Sequence, residues 1–154
     1  LRTTMIVGHP GEGKKDFKEL LDFVKDARFE RLGAFKYSEE EGTYGAENFK
    51  DSISARTKQD RLDELMTLQS DISYEFNQSR VGSEVKVIVD DFSDGVYVCR
   101  SEFESPEVDG EILVRYEGAS LDDVDPYSLI GEFMMVKVTG ADEYDLIAEP
   151  LEIL

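Results

Sequence analysis

The sequence predicts an α+β protein in two parts: a strand–helix–strand slice with a long helix over residues 1–80, then a small five-stranded antiparallel barrel over residues 81–154. Three observations predict it. Apolar residues recur at helical spacing between two short β-rich runs. The period changes to two after Gly82. Acidic charge also collects beyond position 80. Residues 1–80 hold 16 acidic and 13 basic side chains, a net −3, whereas residues 81–154 hold 19 and 4, a net −15.

Leu1 to Val7 reads as a strand, because Thr3 to Val7 are β-branched or apolar. Gly8-His9-Pro10-Gly11 is a sharp turn by composition. Phe17, Leu20, Leu21 and Val24 recur at i, i+3, i+4 and i+7, one face of a helix over about 15–27. Leu32 to Tyr37 is a second strand, so the order is βαβ and the strands should be parallel. Glu39 to Ser54 is polar and reads as a loop. A long helix follows over about 55–80, its buried face marked by Leu62, Leu65, Met66, Ile72 and Phe76 and interrupted by Gln69. Gly82 stops it. Two parallel strands and two helices leave strand edges open and apolar surface bare, so a dimer or an exchange of elements between chains is expected of this part.

Beyond Gly82, Val85, Val87 and Val89 make a strand, and Asp91 to Gly95 a hairpin turn. Val96 to Arg100, then Ile112, Val114 and Tyr116, continue in strand style around the turn Pro106 to Gly110. Phe133 to Thr139 and Tyr144 to Ala148 complete five strands.

Composition excludes several functions. Hydrophobic residues make up 40% of the chain, enough for a core, yet no run approaches the roughly 18 residues that a membrane span needs. No secretory signal is visible, so a cytoplasmic location is expected. A chain that opens on Leu1 reads as a processed product or an excised piece. One cysteine, Cys99, and one histidine, His9, permit neither an internal disulfide nor a thiolate or imidazole metal cage. Cys99 reads as a small buried hydrophobe, and His9 as a turn residue without a catalytic partner. Gly8 to Lys15 is no phosphate loop, because Lys15 stands where a magnesium-binding hydroxyl is needed. Asp122, Asp123 and Asp125 miss the calcium-loop spacing and read as a solvated loop. The acidic second part repels phosphate backbones, which makes nucleic acid an unfavourable partner.

Longer stretches carry a resemblance. Leu1-Arg2-Thr3-Thr4-Met5-Ile6-Val7-Gly8-His9-Pro10-Gly11-Glu12 resembles a late strand and turn of radical-SAM methylthiotransferases, with His9 where that family has Phe and Gly13 where it has Thr or Ser. Phe35 to Thr43 is similar to the next barrel strand and its loop, and Arg61 to Gln69 to the family's long linking helix. Residues 82–148 resemble a TRAM domain, a five-stranded OB-like barrel. Ser105-Pro106-Glu107-Val108-Asp109-Gly110 and Asp142-Glu143-Tyr144-Asp145-Leu146 are similar to the branch that modifies a ribosomal protein, the RimO type.

The resemblance implies that residues 1–80 are a slice of a radical-SAM barrel and that the full-length enzyme adds a methylthio group to the β-carbon of an aspartate in a small-subunit ribosomal protein. It implies S-adenosyl-L-methionine and two 4Fe-4S clusters as cofactors, held in part by a C-x-x-x-C-x-x-C run. With only Cys99, this chain should bind neither and turn nothing over alone. Thr4, Ile6 and Gly8, on one face of the first strand, would line the adenosine, with Tyr37 and Ser38 near the adenine. Arg2 would pair with the carboxylate of the cofactor. Glu102, Glu104, Glu107, Asp109 and Glu111 surround one turn and are the candidates for contact with a basic ribosomal protein. A tRNA-modifying relative, its barrel binding RNA through Phe92, Tyr97, Phe103 and Tyr116, is one alternative. A non-catalytic oligomerisation or adaptor module is another.

Overall fold

The structure is a computed structural model that describes residues 1–105, 109–116 and 124–154. It divides into two compact units, Leu1–Ser73 and Tyr74–Leu154.

In the first unit, β1 (Arg2–Val7) and β2 (Arg31–Lys36) pair in parallel, from Arg2 opposite Arg31 to Val7 opposite Lys36. Helix α1 (Lys14–Ala27) makes the crossover. Its first turn is closed by the Asp16 carboxylate, which accepts from the Gly13 N–H at 2.7 Å. Arg28, in the left-handed conformation at φ 46°, ends it. Phe17, Leu21 and Val24 of α1 pack with Val7, Leu32, Leu65 and Ile72. Alternation sends Thr4, Ile6, Gly33 and Phe35 to the other face, which is exposed: Ile6 by 57% and Phe35 by 63%.

The predicted loop before the long helix contains a short helix, α2 (Tyr44–Asn48), with the Thr43 hydroxyl accepting from the Ala46 N–H at 3.3 Å. Five residues are too few to show a period. Helix α3 (Ala55–Arg80) has the predicted bounds, but its buried stripe is different. Lys58, Arg61, Leu65, Gln69, Ile72, Asn77 and Arg80 are buried, while Met66 is 38% exposed. Gln69 does not interrupt this face; its amide donates to the Phe29 carbonyl at 2.8 Å.

In the second unit, strands β3 (Glu84–Ser93), β4 (Val96–Arg100), β5 (Ile112–Arg115), β6 (Phe133–Ala141) and β7 (Leu146–Ile153) form a closed barrel in the order β3-β4-β5-β7-β6. One expectation is corrected. The barrel is not wholly antiparallel, because β5 and β7 run parallel, Ile112 opposite Leu146. Parity demands it. Directions cannot alternate all the way round a closed ring with an odd number of strands. The β3–β4 hairpin turns on Asp94 and Gly95 alone, at φ 52° and 78°, the signature of a two-residue mirror-image turn. Strand β3 reaches that turn through a bulge between Val89 and Asp91.

Val87, Val89, Tyr97, Cys99, Ile112, Val114, Met134, Val136, Val138, Leu146 and Ala148 fill the barrel, with Leu129 from a 3₁₀ turn (Pro126–Leu129). The two motifs near 109 and 144 meet in one corner. The Asp142 carboxylate accepts from the Tyr144 and Asp145 N–H groups, and Asp145 accepts from the Glu111 N–H at 2.8 Å. Gly110 lies so close to the Tyr144 carbonyl that an added Cβ would stand 1.8 Å from its oxygen.

A methyl group therefore does not fit at Gly110 unless the corner moves. Gly110→Ala should destabilise the second unit by about 2 kcal/mol or more in urea denaturation. Gly140→Ala, whose methyl meets Ile147 at an ordinary 3.6 Å, should change stability by less than about 1 kcal/mol.

Candidate functional site

The C-terminal ends of the parallel strands are the place where such sheets carry sites. Here β1 leaves the sheet through Gly8, whose φ of 76° favours glycine. The space beside it is taken: a Cβ on Gly8 would lie 2.5 Å from Cγ of Lys58. The Gly8 N–H donates to both oxygens of Glu12, at 3.0 and 3.1 Å. Arg61 of α3 donates from Nη1 to Glu12 Oε1 at 2.6 Å and to its carbonyl at 3.1 Å. One turn upstream, Lys58 Nζ donates to the Tyr37 carbonyl at 3.0 Å and to Asp51 Oδ2 at 2.6 Å. Two buried cations of one helix thus fasten the ends of both strands.

Lys36, Tyr37, Ser38, Asp51, Ile53 and Lys58 line a cleft of roughly 340 Å³ there. The Tyr37 hydroxyl and Asp51 Oδ1 are buried and, among the described residues, have no hydrogen-bond partner. The His9 ring packs edge-on to Tyr37 and Phe49, with centroids 5.0 and 5.9 Å apart. The arrangement is a polar cradle. It offers an unused hydroxyl and an unused carboxylate oxygen, and no nucleophile–base pair.

The residues expected to face a cofactor are only partly brought together. Thr4 and Ile6 share the exposed sheet face, and Arg2 is exposed at its far end. Gly8 leaves that face and is buried against Lys58. Lys58 links it to Tyr37, whose ring lies 5.0 Å from the ammonium. Sequence reasoning missed Glu12, Asp51, Lys58 and Arg61. The available signal was spacing, since 58, 61 and 65 continue the helical stripe on which Leu65 was recognised.

The acidic turn of the barrel is rearranged more. Glu102 and Glu111 are exposed. Glu104 is not a surface residue: it is 6% exposed and paired with Arg80, 8% exposed, at 2.5 Å. Its second oxygen accepts from the Ser101 N–H at 3.0 Å and from the Ser101 hydroxyl at 2.5 Å. Burial alone would raise the Glu104 carboxyl, but the Ser101 hydrogen bonds and the Arg80 guanidinium outweigh it and hold the carboxyl below its usual range. Asp109 is half-buried and accepts from the Ser105 N–H at 2.6 Å. Glu107, Asp122 and Asp123 lie outside the described residues, and Asp125 caps the 3₁₀ turn. Phe92, Tyr97 and Tyr116 pack together at the barrel core, with Phe92 and Tyr97 centroids 4.8 Å apart. Phe103, by contrast, is 55% exposed.

Cys99 is 1% exposed, and burial, helped by the Asp90 charge, pushes its thiol up to about 12. It is a buried thiol of the barrel core. Among the described residues, no group of three His, Cys, Asp or Glu side chains is placed to hold a metal ion. Likewise, no helix among them is long and apolar enough to cross a membrane.

Comparison with known proteins shows the family. Residues 81–151 match the family model of the TRAM domain. Ribosomal protein uS12 methylthiotransferase RimO of Phocaeicola vulgatus is 52% identical over 151 residues, 98% of this chain and 33% of that protein. The Bacteroides fragilis protein of the same name is 53% identical over 149 residues, 97% of this chain and 33% of the relative. That of Christiangramia forsetii is 40% identical over 153 residues, 99% and 32%. The chain belongs to the RimO-type methylthiotransferases. It spans about a third of the length of the relatives it matches. Within this RimO-type chain, the barrel of the second unit is the TRAM domain.

The buried ion pair makes that barrel acid-sensitive. Because the folded Glu104 carboxyl titrates below its unfolded value, its contribution is complete above the ordinary glutamate range and is lost as pH falls through the folded value. Glu104→Gln leaves Arg80 buried and uncompensated. It should cost about 3–5 kcal/mol at neutral pH and flatten the acid limb of the stability curve. Glu102→Gln, on the surface, should shift stability by no more than about 0.5 kcal/mol. Urea midpoints across pH check both.

Proposed function

We propose that the chain is part of an enzyme that adds a methylthio group to the β-carbon of an aspartate in a basic small-subunit ribosomal protein, with the TRAM barrel contacting that protein. The observation that carries this reading is the identity of about half with uS12 methylthiotransferases along nearly the whole chain. The first unit supports it as a slice of a larger barrel. Its two-stranded parallel sheet leaves Thr4, Ile6, Gly33 and Phe35 bare on one face, as lining residues of an unfinished pocket would be.

S-adenosyl-L-methionine, when bound in the full-length enzyme, supplies the methyl group and, on cleavage, the radical. The residues present suit part of such a site. Ile6 offers apolar contact, Thr4 a hydroxyl, and Arg2 a guanidinium for a carboxylate. The unpartnered Tyr37 hydroxyl, in the cleft with Asp51 and Lys58, offers a further polar contact. Lys58 and Arg61 do not bind the cofactor in this reading; they hold the Gly8–Glu12 turn and the end of β2 in place. The two 4Fe-4S clusters are not accommodated by this chain, so their ligands belong to the remainder of the enzyme.

Charge supports the partner. With 19 acidic and 4 basic residues over 81–154, the barrel attracts a basic protein and repels a phosphate backbone. A titration with isolated uS12 and with tRNA, each at two salt concentrations, tests the reading. Binding to uS12 should weaken several-fold as salt rises, with no binding to tRNA. Preference for tRNA, or no binding to uS12 at low salt, would contradict it.

A further inference from the structure

The TRAM barrel carries a groove that the acidic-turn reading did not anticipate. Roughly 520 Å³ in volume, its lining includes Glu84, Lys86, Arg100, Glu102, Phe103 and Phe133. Two large rings stand exposed in it, Phe103 by 55% and Phe133 by 44%. Together they give one groove two aromatic surfaces open to a partner. Both already take cations from this chain. Lys86 Nζ sits 4.2 Å from the Phe133 centroid, and the Arg80 guanidinium lies 5.5 Å from that of Phe103.

The carboxylates are unevenly used. Arg100 is held by Asp90 at 2.8 Å. Glu84 and Glu102 form no ion pair or hydrogen bond through their side chains among the described residues. Aromatic faces beside unengaged carboxylates form a receptacle for a guanidinium or ammonium. The net −15 of residues 81–154 favours such an occupant over a nucleic acid.

We infer that this groove receives a cationic side chain, arginine foremost, from a basic polypeptide, with the cation over Phe103 and against Glu102. As to the source of that polypeptide, the inference rests on the proposed function and takes it to be the ribosomal protein substrate. Lys86, a positive charge lining the same groove, then repels the incoming cation. This gives a sign that separates the possible occupants. Removing the Lys86 charge strengthens a cationic guest and weakens a stacked nucleic acid, whose phosphates need it.

The test is a titration of the isotopically labelled 154-residue chain, followed by NMR, with a hexa-arginine peptide, with uS12 and with a single-stranded oligouridylate. For the peptide, shifts should concentrate at Lys86, Phe103 and Phe133. Phe103→Ala should weaken binding about tenfold and Glu102→Gln about threefold, while Lys86→Gln should tighten it. Because Phe103 packs on Arg80, the exposed and isosteric Glu102→Gln keeps the test informative if Phe103→Ala misfolds. Peptide shifts elsewhere on the barrel, unchanged affinity in Glu102→Gln, or oligouridylate filling the groove with weaker binding in Lys86→Gln would each overturn the inference. If uS12 binds but ignores these substitutions, the groove is wrong and the proposed function stands. If the peptide fills the groove and uS12 does not bind, the substrate reading fails and the cation receptacle remains.

Discussion

Burying a positive charge is expensive unless a carboxylate and further acceptors surround it, and helix α3 buries three. Lys58, Arg61 and Arg80 are each less than a tenth exposed. Each is matched with a carboxylate from elsewhere in its own unit: Asp51, Glu12 and Glu104. The need to meet those partners dictates much of the remaining structure. Glu12 must turn back to the helix, which closes the Gly8–Glu12 turn. Residues around 51 must approach Lys58, which sets the path out of α2. Ser101 and Glu104 must fold over Arg80, which fixes the segment after β4.

These pairs are specific rather than strongly stabilising. A buried ion pair often does no better than apolar residues of the same volume, but breaking one is costly because the other charge is stranded. Such pairing suits a segment that must keep one geometry. The turn after β1 and the end of β2 are the points at which the first unit presents polar groups to a cleft, and Lys58 and Arg61 hold both. In the second unit, the Arg80 pair removes Glu104 from the surface and leaves Glu102 and Phe103 on it. The acidic barrel therefore presents fewer, better-defined contacts than its net charge alone implies.

The helix bounds and most strand starts were legible in the sequence because period and turn chemistry agreed, and Gly82 ends α3 at φ 89°. Strand ends were less so: β3 runs on to Ser93 through residues expected to turn, and the last strand, expected over Tyr144 to Ala148, spans Leu146–Ile153. Three features were not legible, each for a physical reason. The buried stripe of α3 is polar in composition, so a hydrophobicity pattern placed Met66 inside and took Gln69 for a break. That one pair must be parallel follows from closing five strands into a ring, but hairpin turns mark only local antiparallel neighbours and do not show that β5 and β7 are that pair. Glu104 looks like its neighbours Glu102 and Glu107 in sequence, and only the position of Arg80, 24 residues away, distinguishes it. The resemblance identified the family. The cleft residues Asp51 and Lys58 emerged only once the helix was placed against the strand ends.

The central claim is that this chain can serve as the corresponding third of a uS12 methylthiotransferase. The most direct test is a chimera in which it replaces the matching segment of the Bacteroides fragilis relative, assayed with reconstituted clusters by mass spectrometry of uS12. The account predicts that the chimera places a methylthio group on an aspartate of uS12. A folded, cluster-loaded chimera that cleaves S-adenosyl-L-methionine and leaves uS12 unmodified would contradict it.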